Sequence, residues 1–502
     1  MDILFFNTYY SQKQEYYSFY KPNPPMGLLY LSAYLDKNHI GSKVYELGVF
    51  KEEDAILDGD RIRFGLSDAE IRLIIRDEKP LVIGLNCMYS IYYNDVANIA
   101  RVIKEEDQNI KVVVGGNHAS SYWKEIMKDE NIDYVVIGEG EETFLELIDG
   151  IYQGCDGEDV DGIAYRDNGI VVRTKPRVLI KDLDDIPMPA YEKIDFEKYI
   201  EEGNVFCMRL SSQGIISSRG CPNNCIYCTV KAVWGRKWRG RSPKKVVDEI
   251  QYLKNAYQIK EFAFLDDSMS INKERLVGIC DEIIRRDLNI KWTTPNGIAH
   301  WTLNKEILKK MKDAGCYRIT FGIESGNQGT RRFIRKSYPL DQAKELIKHA
   351  NRIGMWTICT NIIGFPCEDI NDMNDTYKFA VDCGTDFACF YLLIPQPTSD
   401  VYKYYDESLI DEESLNETGC DTKYFTKYEL RKIQKKFYRN FIISRVLRYI
   451  LNPFLLIRKI RSMEDVRYII RLAGASLKIF KSVLNKKTKR TGDFLYKKNG
   501  KG

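Results

Sequence analysis

The stretch CPNNCIYC at residues 221–228 sets Cys221, Cys225 and Cys228 in a C-x3-C-x2-C spacing, directly after the apolar segment GIISSRG. Thiolates are soft ligands suited to iron–sulfur clusters. Three clustered cysteines leave one iron of a [4Fe–4S] cube without a protein ligand, and that open iron is where chemistry can occur. The alternative is a zinc knuckle, which needs a fourth Cys or His close by. Within about twenty residues on either side only Cys207 stands, at a spacing that no zinc motif uses.

A loop of this kind has to be held by regular elements. After it the chain alternates strand and helix signals. EFAFLDD (261–267), KWTTPNGI (291–298), YRITFGIES (317–325), WTICTNIIGFP (356–366) and DFACFYLLIP (386–395) read as strands and, with GIISSRG, make six. Six strands alternating with helices predict a partial (β/α)6 barrel over 206–400, with functional side chains at the strands' C-terminal ends. Asp266, Asp267, Glu324 and Ser325 fall at such ends.

The first 150 residues follow a similar plan. DILFFN (2–7), KVYEL, PLVIGLN (80–86), KVVVGG (111–116) and DYVVIG (133–138) read as five strands separated by helices, among them a proline-entered helix over 24–40. This predicts a doubly wound, Rossmann-like parallel sheet that binds its ligand beyond the carboxyl ends of the strands. The loops there are GLNCMYS (84–90), GGNHAS (115–120) and GEGEETF (138–144). They make Ser90, Gly115, Gly116, His118, Gly138, Glu139, Gly140 and Glu141 the candidate binding residues, with Glu139 and Glu141 equally suited to the N terminus of the next helix. A flavodoxin-like or nucleotide-binding domain has the same pattern. The absence of G-x-G-x-x-G after the first strand weighs against a dinucleotide. Residues 151–205 read as a connector, with a hairpin turning at Asp167-Asn168-Gly169 followed by a proline-punctuated segment.

The cysteine motif, with Tyr227 just before its last cysteine, resembles the radical S-adenosylmethionine (SAM) superfamily. PPMGLLYLSAYL, VVVGGNHAS and VVIGEGEETF upstream of it extend the likeness, over roughly residues 1–400, to the cobalamin-binding radical SAM family. That family includes anaerobic magnesium-protoporphyrin ester cyclases, hopanoid methylases and natural-product methylases. The resemblance implies a [4Fe–4S] cluster, SAM and cobalamin as cofactors, and cleavage of SAM to a 5′-deoxyadenosyl radical. It places Asp266 and Asp267 near the SAM amino group, Glu324 and Ser325 near the ribose, and Arg335 toward the SAM carboxylate. Asn361 and the backbone of Tyr227 fall beside adenine. The loop after the first strand, NTYYSQKQ, lacks the histidine that ligates cobalt in classical cobalamin enzymes. The resemblance therefore implies base-off cobalamin without a His from that loop, while His118 could approach the corrin or its tail.

Composition bounds the rest. The 502 residues carry 44% hydrophobic and 29% charged side chains, ordinary for globular domains. The 13 cysteines are scattered and odd in number, which argues for a reducing cytoplasm. No uncharged apolar run of transmembrane length and no secretory pattern occurs. The net charge of +4 conceals a split: residues 431–502 hold 21 Lys/Arg against 3 Asp/Glu, leaving the remainder acidic. This helical, basic and apolar segment (401–502), interrupted by Pro453, predicts contact with an anionic membrane surface or a cap over the barrel mouth. The basic, aromatic WGRKWRGRSP (234–243) admits a nucleic-acid role but reads better as structural or as a substrate-phosphate contact. The expected activity is methylation of an unactivated carbon in a small-molecule, lipid-like or natural-product substrate, with an electron donor such as flavodoxin or ferredoxin. A cyclase or rearrangement enzyme without methyl transfer is the second reading, and a non-catalytic cobalamin or redox sensor that binds nucleic acid is the third.

Overall fold

The structure, a computed structural model, describes residues 2–484 except 15–18, 156, 201–206, 210, 407–409 and 411–418, with side chains described to residue 474. The basic tail KKTKRTGDFLYKKNGKG lies outside the described residues.

Five parallel strands form the first sheet: Ile3–Asn7, Lys43–Glu46, Val82–Asn86, Lys111–Gly115 and Tyr134–Val136. Their spatial order is second, first, third, fourth, fifth. The order reverses between the first and third strands, which opens a crevice at their carboxyl ends. Ile3–Asn7, Val82–Asn86 and Lys111–Gly115 are buried on both faces, as their continuous Ile, Leu, Phe and Val runs require. The predicted hairpin forms at Ile163–Asp167 and Ile170–Arg173, with Asn168 and Gly169 both at positive φ. It extends this sheet antiparallel to Tyr134–Val136 and so belongs structurally to the first domain.

Six parallel strands form the second sheet in chain order: Ser212–Ile215, Glu261–Phe264, Lys291–Ile298, Cys316–Glu324, Trp356–Ile363 and Phe387–Leu392. GIISSRG splits. Its first part is the edge of this sheet, whereas Ser218–Arg219 leaves it to pair with Arg239–Gly240. The helix Pro243–Tyr257 begins at a Ser242 cap whose side chain accepts from Lys245 N, with proline at the position where a missing N–H costs nothing.

A third, antiparallel sheet of Tyr10–Lys13, Ile56–Asp58 and Arg61–Phe64 was not expected from sequence, which reads NTYYSQKQ as loop. It depends on pairing across about fifty residues, which no local pattern announces.

The C-terminal helices Lys427–Leu451 and Met463–Leu484 pack on the barrel wall and base, not over its mouth. Lys427–Leu451 covers the exposed edge strand Phe387–Leu392: Gln434 donates to the Phe390 carbonyl at 2.7 Å, and Phe390 N donates to Tyr438 Oη at 3.0 Å. An open strand edge is an aggregation template, so the helix protects it. Basic side chains counted as surface charge in the sequence are partly internal. Arg445 donates to Thr385 and Val381 carbonyls, Arg471 to those of Cys207 and Met208, and Lys459 ion-pairs with Asp386 at 2.8 Å.

Candidate functional site

The C-terminal strand ends of the two sheets face one cavity of about 1030 Å3, at the upper end of the range for cofactor-sized sites. On the first-domain side Gly84, Gly115, Gly116, Gly138 and Gly140 line it. Gly116 sits at φ 115°, and a Cβ there would meet the Cys87 carbonyl oxygen at 2.6 Å. A side chain at that position would have to break the turn, so the flat glycine wall is built into the backbone. The barrel side contributes Ile216, Arg219, Trp234, Leu265, Asp267 and Asn296.

The cysteine loop adjoins this space without lining it: Arg219 before it and Thr229 and Val230 after it are in the wall, whereas Cys221, Cys225 and Cys228 are not. Cys228 N donates to the Cys225 carbonyl, Ile226 N to that of Ile334, and Val401 N to that of Ile226, so neighbouring segments pin the loop. Asn223 Nδ2 lies 3.4 Å from Cys221 Sγ and is oriented by Tyr338 Oη, whose ring stacks on Trp301 at 3.6 Å. Burial pushes all three thiols up, that of Cys228 to about 12, and Cys221 acts electrostatically on the other two. Three adjacent, half-buried thiols are a donor set that fits a cluster, whose iron replaces the protons. Among the described residues no three His, Cys, Asp or Glu side chains converge closely enough to hold a single metal ion. The ligands of a cube sit on separate irons and need no such convergence.

Beside the thiols, Glu324 ends the fourth barrel strand at φ 65°, where the register to Asn361 shifts, and accepts from Lys336 Nζ at 2.8 Å. A glutamate in the left-handed region at a strand end is strained, and such strain gathers at functional sites. Lys336 also acts on Cys225, and burial opposed by Glu324 and Cys225 leaves its pKa raised. Sequence reasoning missed Lys336, which lies twelve residues from its partner. Asp267 makes no hydrogen bond or ion pair among the described residues, faces the cavity, and is pushed up to about 6 by burial and then by Asp266. Tyr227 packs against Phe365 with its ring centroid 5.9 Å away.

Other expected residues have different partners. Asp266 accepts from Ser217 N, Ser217 Oγ and Ser218 N, so its carboxylate holds the backbone that leads to the cysteine loop. Ser325 bonds Thr376 and Asn327 N, and Asn361 donates to the Cys359 and Cys389 carbonyls inside the sheet. Arg335 ion-pairs with Asp400 at 2.6 Å and is turned toward solvent. On the first-domain side, His118 is buried between Tyr93 and Tyr122, with Nδ1 bonded to Ser90 Oγ at 2.9 Å. Burial pulls its pKa down to about 4. Neither His118 nor Ser90 lines the cavity, whereas Tyr89 and Tyr92 do. Glu139 and Glu141 bond arginines from the barrel domain, and of the two only Glu141 lines the cavity. Sequence reasoning also missed Glu46, at the end of the second strand. It lines the cavity, accepts from Asn7 Nδ2, Gly48 N and Tyr199 Oη, and is pushed by burial up to about 7.

The model of the B12 binding domain matches residues 18–148 and that of the radical SAM superfamily residues 215–380. An uncharacterized methyltransferase of Pyrococcus horikoshii is 32% identical over 458 residues, covering 89% of this chain and 94% of its own. The chain belongs to the cobalamin-binding radical SAM family. Cytidylyl-2-hydroxyethylphosphonate methyltransferase of Streptomyces wedmorensis is 32% identical over 434 residues, 78% of this chain and 80% of that one. The anaerobic magnesium-protoporphyrin IX monomethyl ester cyclase of Rubrivivax gelatinosus is 28% identical over 387 residues, 76% and 66% respectively. The radical SAM methyltransferase TsrM of Kitasatospora setae, solved with cobalamin and a [4Fe–4S] cluster, shares the fold. It superposes at TM-score 0.64 and 18% identity over 80% of this chain and 74% of its own. The protein is a radical SAM enzyme whose cofactors are a [4Fe–4S] cluster, SAM and cobalamin.

Proposed function

We propose that this radical SAM enzyme methylates an unactivated carbon of a small, lipid-like or natural-product substrate. The observation that carries the reading is the single cavity walled by both domains, because a radical made at the barrel and a methyl carrier in the first domain must meet one substrate away from water. When bound, the cluster supplies the electron that cleaves SAM, and the corrin carries the methyl group. Cys221, Cys225 and Cys228 hold the cluster. Asp267 takes the SAM ammonium, Glu324 is held by Lys336 for the ribose, and Tyr227 offers its backbone to adenine. The glycine-lined strand ends, Gly115, Gly116, Gly138 and Gly140, receive the corrin. A low-potential donor of the flavodoxin or ferredoxin class delivers electrons from outside.

The deciding experiment is anaerobic reconstitution with iron, sulfide and cobalamin, followed by SAM and a strong reductant. Release of both 5′-deoxyadenosine and S-adenosylhomocysteine supports the methylase. Deoxyadenosine alone favours the cyclase reading, which the Rubrivivax relative keeps in view. Neither product from protein loaded with both cofactors sinks the enzyme reading. Two of the three arginines of WGRKWRGRSP, Arg239 and Arg241, are buried in ion pairs with Glu139 and Glu249, which argues against nucleic-acid recognition and leaves Arg236 and Lys237 exposed.

The same reading includes docking at an anionic membrane surface. No described helix is long and apolar enough to cross a membrane. The outer face of Lys427–Leu451 exposes Lys432, Lys435, Lys436 and Arg439 in its first half, then Ile443, Val446, Leu447, Ile450 and Leu451. Leu451 is 83% exposed, and Phe454 and Ile457 continue the apolar stripe. A basic patch merging into apolar side chains suits anionic headgroups over acyl chains. Sedimentation with phosphatidylglycerol vesicles, lost in Ile450→Glu/Leu451→Glu and absent with phosphatidylcholine, is the expected result. Failure of the unsubstituted protein to sediment removes this part of the proposal.

A further inference from the structure

Four charged side chains join the two domains at the cavity wall, which Arg219 and Glu141 line. Arg219 donates to Glu139 at 3.0 Å and to Glu141 at 2.6 Å, and Arg239 reaches Glu139 at 2.8 Å. All four are 4–5% exposed. Both carboxylates come from GEGEETF, whose Gly138 and Gly140 line the cavity, and both arginines come from the Ser218–Arg219 and Arg239–Gly240 strand pair. The bridging segment is tied in as well, because Ile180 N donates to Glu139 and Arg239 donates to the Ile180 carbonyl. Burial opposes the charges, yet Arg219 holds the Glu141 carboxyl below the usual glutamate range.

Arg219 stands two residues before Cys221. Gly220 between them has φ 82°, and a Cβ there would meet the Lys237 carbonyl oxygen at 2.6 Å, so the link from Arg219 to the cysteine loop is tightly constrained. The guanidinium also lies over Trp234 at 4.7 Å. Buried ion pairs are costly to form, and their best-attested use is to specify register.

We infer that Arg219 is a positioning residue that sets the corrin-side loop against the cluster loop, and so governs transfer between the domains but not SAM cleavage within the barrel. The inference rests on the proposed methylase reading. The two SAM products report the two distances separately. S-adenosylhomocysteine forms when the methyl group leaves sulfur, which keeps the bonding pair, for the reduced corrin, which supplies the pair of the new bond. Deoxyadenosine forms when one electron, delivered through the cluster from a strong reductant, breaks the sulfur–C5′ bond. Methionine leaves, and the adenosyl radical takes a hydrogen atom from substrate or from a buffer C–H bond. The first reaction crosses the domain boundary, where a displacement of about 1 Å costs on the order of a hundredfold. The second needs only the barrel.

The test compares the full-length, reconstituted protein with Arg219→Gln and Glu141→Gln. The expected result, read at saturating cobalamin, is unchanged iron and sulfide content and deoxyadenosine formation within about threefold, with the S-adenosylhomocysteine to deoxyadenosine ratio reduced about tenfold or more. Pulsed EPR between the reduced cluster and cob(II)alamin should show a broadened distance distribution. Glu141→Gln keeps the side-chain shape and serves if Arg219→Gln does not fold. An unchanged ratio and distance, or a parallel fall in both products, overturns the inference. Deoxyadenosine without S-adenosylhomocysteine from the unsubstituted, cofactor-loaded protein would instead overturn the methylase reading beneath it.

Discussion

At the scale of single residues, the chemistry divides between groups left free and groups already engaged. Asp266 and Asp267 are adjacent carboxylates, but Asp266 is satisfied by Ser217 and Ser218 while Asp267 faces the cavity. Cys225→Ala should reduce 5′-deoxyadenosine formation to background, since a cube held by two thiolates cannot present SAM; undiminished cleavage would falsify the cluster assignment. Glu46 yields a pH prediction. Burial raises it from the ordinary 4.5 to about 7, against hydrogen bonds that favour the charged form. The folded state therefore holds this proton more tightly than the unfolded chain does. The stabilisation is complete below the unfolded value and is lost as pH rises through about 7. Glu46→Gln stays neutral and keeps the bond from Tyr199. Relative to the unsubstituted protein it should gain about 1–3 kcal/mol between about pH 5 and 8. Urea unfolding at several pH values checks this, and a difference that does not change with pH refutes it.

At the scale of elements, the C-terminal helices complete the barrel. Lys427–Leu451 begins at a capping box of Thr426 and Glu429 and buries Leu430, Phe437 and Phe441 against the edge strand. Beyond Pro453 the chain returns under the barrel base, where Lys459 donates to Asn351, Met355 and Asp386. Lys459 and Asp386 are each only 1% exposed at the side chain. Removing one member of such a pair leaves a buried charge, so Lys459→Met should cost about 3–5 kcal/mol in urea unfolding. Adding Asp386→Asn should recover part of that loss. If Lys459→Met costs nothing, the helices do not brace the barrel.

At the scale of the whole molecule, two parallel sheets point their carboxyl ends into one space, and the bridging segment and buried ion pairs hold them there. Tyr191 Oη donates to Glu249 on a barrel helix at 2.6 Å, and Ala190 N donates to the Leu29 carbonyl of the first domain. Cobalamin should therefore protect both domains. At a hundred times its dissociation constant it should add about 2.7 kcal/mol of stability. Hydrogen exchange should slow in both Val82–Asn86 and Glu261–Phe264. Protection confined to the first domain would mean that the barrel wall takes no part in binding.

The cysteine triad, the strands of both parallel sheets and the hairpin turn at Asn168-Gly169 were legible in the sequence, because local spacing and periodicity carry them. The glycine-rich strand ends were legible for the same reason. What a side chain does once it is placed was not. Glu139 and Glu141 read equally as cofactor contacts or as carboxylates at the next helix N terminus, and Glu141 does open that helix, but their arginine partners, Arg219 and Arg239, lie about eighty to a hundred residues away. His118 read as a hydrogen-bonding strand-end residue that could approach the corrin, and only packing set it between two tyrosines. The basic C-terminal charge was visible as a count, but the structure divided it into buried braces such as Arg445 and Lys459 and an exposed face at Lys432–Arg439. Residue type and spacing determine which chemistry is available. Contacts between residues distant in the chain decide which groups remain free to perform it, because a buried polar group takes whatever partner the fold brings within reach.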